Sequence, residues 1–166
     1  VLMHNELRET LSSKTKDVVN LLITAFSFEN DINSQQEPKK KRGSNNHDDD
    51  DHQEESSIII SIICTILRRI TVTKELVKQM SRTNFLGAYL SKATKQNKNA
   101  FYALHVIKIV GECCYTNDLL NVIDFLVTSI KKNDDNSNFA LDTSSCLCKY
   151  RTCAEKFREK KIDDYL

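Results

Sequence analysis

The residues best suited to chemistry lie in four groups. His47, Asp48 to Asp51, His52, Glu54 and Glu55 combine carboxylates with imidazoles, a donor set that suits several divalent ions. A metal centre needs rigid convergence and outer-sphere support. This run has no apolar anchors, so it reads as a solvated, self-repelling acidic loop. Cys146 and Cys148, with Cys153 beyond them, offer thiolates of the kind zinc takes. They lack the usual two-residue spacer and a nearby fourth ligand, and read as ordinary helix cysteines. Cys113 and Cys114 read as core and junction residues. His105, with Lys108 and Glu112, contains the His–Glu pair that acid–base catalysis uses. No nucleophile, phosphate-binding glycine loop or second catalytic group accompanies it. The expectation is therefore no enzyme, no resident metal and no cofactor. The fourth group is Pro38-Lys39-Lys40-Lys41-Arg42, a compact basic run in a polar stretch. It resembles a nuclear import signal, which would make an import receptor a partner through Lys39, Lys40, Lys41 and Arg42. A solvated basic patch is the alternative.

The elements that must carry these groups are helices. The chain has 166 residues, enough for one domain with a sizeable core. It contains 3 Gly and 1 Pro, too few for the many tight turns of an all-β fold. A net charge of +1 supplies no global field toward nucleic acid or anionic lipid. The 6 cysteines do not form a loop-rich disulfide framework, and no secretory leader or Asn-x-Ser/Thr acceptor occurs, which points to cytosol or nucleus. The apolar run Ile58 to Leu67 is about half of what a bilayer crossing needs, and Arg68 and Arg69 close it, so no membrane partner is expected.

Apolar residues at 18, 19, 22, 23 and 26 have helical spacing. The segment from Glu29 to Glu55 is almost devoid of apolar residues and is expected to be a disordered, charged insertion. A buried helix is expected from Ser57 to Thr71. Thr73 and Asn84 can cap two short helices after it. A long helix follows from Ala100 to Cys114, then helices from Thr116 to Ile123 and from Asp124 to Lys132. Asn133 to Asn138 reads as a loop, and one last helix is expected from about Asp142 to Lys161.

This order recurs. Ile66-Leu67, Ile70, Thr73, Leu76-Val77 and Met80 match Ile109-Val110, Cys113, Thr116, Leu119-Leu120 and Ile123 at a constant offset of 43. Asn84-Phe85-Leu86 with Leu90 matches Asp124-Phe125-Leu126 with Ile130 at an offset of 40. Asp17-Val18-Val19 with Ile23 falls into the same register once the 27 residues from Glu29 to Glu55 are set aside. A period of about 40 to 47 residues with two or three helices is characteristic of armadillo and HEAT arrays.

The stretch from Leu67 to Leu90 resembles the armadillo unit, in which a long helix runs into a short one and then a medium one. The resemblance covers Asn5 to Lys132 fairly and Asp142 to Lys161 poorly. It implies an all-α, right-handed α-α superhelix of about two to three repeats, a single armadillo-like domain over residues 1–166, interrupted at 29–55. The missing long helix before Leu7 and the unpaired last helix suggest a fragment of a longer array. Two departures stand out. Thr83 and Asn84 replace the usual glycine between short and medium helices, and Asn is the next best left-handed residue. Arg69 and Glu112 replace the groove asparagines that pair with an extended peptide in that family.

The resemblance implies a protein–protein interaction scaffold or adaptor, cytoplasmic or nuclear. Its concave groove would carry Ser61, Thr65 and Arg69 from one repeat and His105, Lys108 and Glu112 from the next. A polar or charged protein segment is the partner such a groove suits. The competing expectation is a nuclear nucleic-acid-associated factor using Lys14, Lys16, Lys39 to Arg42, Arg68, Arg69, Lys92, Lys95 and Lys98 against phosphate. Balanced net charge counts against it.

Overall fold

The computed structural model describes residues 14, 16–27, 48–132 and 134–160. All regular elements among them are helices, and none is a strand. Helix α1 spans 16–27. It is followed by α2 (Asp48–Arg69), α3 (Lys74–Arg82), α4 (Phe85–Ala93), a 3-10 turn (Asn97–Asn99), α5 (Ala100–Cys113), α6 (Asp118–Asn121), α7 (Ile123–Lys131), α8 (Ser137–Leu147) and α9 (Arg151–Glu159).

Local chemistry explains several boundaries. The Thr73 hydroxyl accepts the Leu76 N–H at 3.2 Å and caps α3. Asn84 sits at φ 59°, the left-handed conformation that a glycine would otherwise supply, and reverses the chain between α3 and α4. Its side chain makes no capping bond to α4, so its role is conformational. Helix α2 begins nine residues ahead of Ser57, inside the segment expected to be disordered. Arg68 and Arg69 close its last turn, where the helix dipole favours positive charge. The remainder of the expected insertion, including the basic run Lys39 to Arg42 and His47, lies outside the described residues.

The expected single C-terminal helix is two helices. Residues Cys148 to Tyr150 break it, Tyr150 adopting an extended conformation ahead of α9. Helix α8 also starts at Ser137, inside the expected loop. Its buried residues Ala140, Thr143, Ser144 and Leu147 have the i, i+3, i+4, i+7 spacing of one helical face.

Helix α5 packs against both α2 and α8, while α7 lies on α8, α4 on α5, and α6 on α9. The core runs continuously through these contacts, from Leu22 and Phe26 of α1 through Ile60, Ile63 and Leu67 of α2 to Leu147 and Phe157. Buried pairs at i, i+4 include Leu76 with Met80 in α3, Leu119 of α6 with Ile123 of α7, and Cys153 with Phe157 in α9. Side chains tie neighbouring segments to each other's backbone. The Tyr89 hydroxyl donates to the Ile60 carbonyl at 3.0 Å, and the Tyr150 hydroxyl to the Gly111 carbonyl at 2.7 Å. Gly111 is buried where α8 crosses α5, and a Cβ there would run into the Leu147 side chain.

Candidate functional site

Where the C-terminal half of α2 meets α5, the surface opens into a cleft of about 530 Å³. Leu67, Arg68, Ile70 and Val72 form one wall, and His105, Lys108, Ile109, Glu112 and Cys113 of α5 form the other, with Phe139 reaching in from α8. The apolar residues make the floor, and the charged ones stand around the opening.

His105 is central to the opening. Its ring lies 4.4 Å from the Phe101 ring in an edge-on arrangement and 4.5 Å from that of Phe139. Burial, with Arg68 and then Lys108 close by, holds the imidazole below its ordinary value of 6.5. Glu112 lines the same cleft, and no hydrogen bond or ion pair joins it to His105 among the described residues. The Lys108 ammonium donates a hydrogen bond to the Asp142 carboxylate of α8, and that bond raises the lysine's proton affinity. The same ammonium stands 5.3 Å above the Phe139 ring. Arg68 enters no ion pair among the described residues.

Three of the six expected groove residues, His105, Lys108 and Glu112, therefore come together here. Ser61, Thr65 and Arg69 do not line the cleft. Ser61 and Thr65 turn their hydroxyls back onto α2, donating to the carbonyls of Ile58 at 2.7 Å and Ser61 at 2.8 Å. Arg69 is exposed, and Arg68 takes the cleft position instead. The reason is helical phase. Equivalent positions on two packed helices project side by side, and the residue that turns toward the neighbour sits about 100° around the helix, one residue away.

Phe139 and Asp142 complete the site and were not among the expected residues. Their place became legible only with the true start of α8, although the spacing of Phe139, Ala140, Thr143 and Leu147 carries the signal. On the two helices that wall the cleft, Ile58 and Ile62 of α2 and Phe101 of α5 are large apolar side chains left 52%, 50% and 45% exposed, an apolar ledge of which Phe101 meets the cleft at His105.

The cysteines do not converge on a metal. No group of three or more His, Cys, Asp or Glu able to hold one occurs among the described residues. Cys153 is buried while Cys148 is exposed, and none of the six forms a disulfide. Burial pushes the Cys113, Cys114 and Cys146 thiols up, which keeps them protonated and unreactive at neutral pH. Cys113 instead donates to the Val72 carbonyl at 2.9 Å, joining α5 to the turn after α2. No described helix is long and apolar enough to cross a membrane.

No known family model, curated protein or solved structure matches the chain.

Proposed function

We propose that this chain is a protein–protein interaction scaffold built from armadillo-like helical repeats, with its binding surface along α2, α5 and α8. The observation that carries the reading is the cleft with its apolar ledge. An open surface of charged rim and uncovered Ile58, Ile62 and Phe101 suits a polypeptide better than a small molecule, which would need a deeper enclosure. The successive packing of α5 on α2 and α8 on α5 supports the repeat reading. So do the buried pairs Leu76/Met80, Leu119/Ile123 and Cys153/Phe157, which support reading α8 and α9 as a third unit after those that the offset of 43 relates.

A photo-crosslinking amino acid placed in turn at Arg68, Phe101 and Thr152 tests this surface in cells. Thr152 is an exposed position of α9, a helix that contributes no residue to the lining of the cleft. Positions 68 and 101 should yield adducts with the same partner and position 152 none. Adducts from 152 alone would move the interface away from the long helices.

A further inference from the structure

Within the cleft, the charges nearly cancel. Arg68 and Lys108 line it as cations and Glu112 as a carboxylate; beside it stand the Lys108-bound Asp142 of α8 and Lys149, whose ammonium donates to the Glu112 carbonyl at 3.1 Å. His105 sits among them with no hydrogen-bond acceptor on its ring among the described residues. Its neighbours are the rings of Phe101 and Phe139, with Arg68 from α2 and Lys108 on its own helix. The charge that α8 presents here, Asp142, is engaged by Lys108. From α3, Lys74 acts at the opposite end, on Cys113. His105 is thus the one cleft-lining side chain whose charge changes between about pH 5 and 8.

We propose that His105 makes this cleft a proton-gated site for the carboxylates of an acidic peptide segment. The inference rests on the groove reading above and adds the partner's chemistry and its control. With the imidazole neutral, the rim and its immediate neighbours carry only a small net positive charge, and an acidic segment gains little beyond what the apolar ledge provides. When the imidazole takes a proton from solvent, a further cation joins Arg68, Lys108 and the neighbouring Lys149 against the two carboxylates, and the rim becomes more strongly positive. A bound carboxylate then stabilises the imidazolium, and by linkage the protonated protein holds the carboxylate more tightly. The surrounding burial and the two cations resist protonation of the empty cleft, so the ligand and the proton arrive together. Peptide is favoured over a phosphate backbone because Glu112 and Asp142 repel closely spaced anions, whereas Ile58, Ile62 and Phe101 can receive apolar side chains flanking an acidic one.

The test uses the whole chain, a hexaglutamate peptide as probe and a hexathymidylate strand as the competing arm. Hexaglutamate affinity should rise about fivefold or more from about pH 7.5 to about pH 5.5, the lower limit for one added charge at contact in water. In histidine-labelled protein, the resonance that disappears in His105→Gln should titrate below 6.5 in the free chain and shift upward with peptide bound. The ratio of affinities at the two pH values should fall to about one in His105→Gln and in His105→Phe, which keeps an aromatic ring between Phe101 and Phe139. Persistence of the pH ratio in both variants overturns the proposal, as does an His105 titration indifferent to peptide or an absence of binding at the lower pH. Tighter binding of hexathymidylate than of hexaglutamate replaces the peptide with nucleic acid. Crosslinking from Arg68 and Phe101 at neutral pH reads the groove independently of all these outcomes.

Discussion

At the residue scale, neighbours decide what a side chain can do, and His105 is the clearest case. Its folded value is depressed, so the folded state binds its proton less readily than the unfolded chain. The stability this contributes is fully present above about 6.5 and is lost as pH falls through the folded value. The difference in stability between His105→Gln and the parent should therefore shift in the variant's favour on acidification, measured by urea denaturation across that window. A different logic separates Arg68 from Arg69, which adjoin in sequence and differ in direction. If the cleft binds, Arg68→Glu should weaken partner capture by about tenfold and Arg69→Glu by about twofold or less. Both should leave helicity and melting nearly intact, since exposed substitutions usually cost under about 0.5 kcal/mol. Equal effects from the two would mean that the binding surface turns with Arg69, as the armadillo pattern implies.

At the element scale, α8 converts a two-helix surface into a cleft, and its approach depends on Gly111. The missing side chain there lets Leu147 pack over α5, while Tyr150 fastens the following turn to the Gly111 carbonyl. Gly111→Val should cost about 1–3 kcal/mol by overpacking, against any gain in helix propensity. Because Phe139 and Asp142 ride on α8, the same variant should loosen the Lys108–Asp142 pair, which a double-mutant cycle between Lys108 and Asp142 would read. A variant as stable as the parent would show that α8 is held elsewhere. The α3–α4 junction illustrates the opposite situation. There the decisive property, a left-handed Asn84, belongs to the residue itself and was expected from its type.

At the scale of the whole molecule, a single core joins α1 to α9, so damage at matching positions should be comparable. Leu76 and Leu119 are 3% and 0% exposed, related by the offset of 43. Leu76→Ala and Leu119→Ala should each cost roughly 2–5 kcal/mol in calorimetry or denaturant unfolding. One tolerant and one intolerant position would weaken the proposed equivalence of the units, because their packing would then differ.

The helical class, most helix positions and the cap at Thr73 were legible in the chain because they depend on local properties: apolar periodicity, glycine scarcity and the hydroxyl ahead of a helix. Two boundaries were not. Four consecutive aspartates resemble a solvated loop by composition, yet the backbone helix of the apolar run from Ile58 extends back through them to Asp48. The break at Cys148 to Tyr150 carries no Gly or Pro to announce it, and tertiary anchoring of Tyr150 on Gly111 accompanies it. For the candidate site, the sequence by itself determined that His105, Lys108 and Glu112 share one face of α5, since residues three and four apart align on any helix. Which arginine meets them, and that Phe139 and Asp142 join from α8, was decided only by tertiary structure. Those facts depend on how helices are rotated against one another, and a rotation between helices leaves no trace in the periodicity of either.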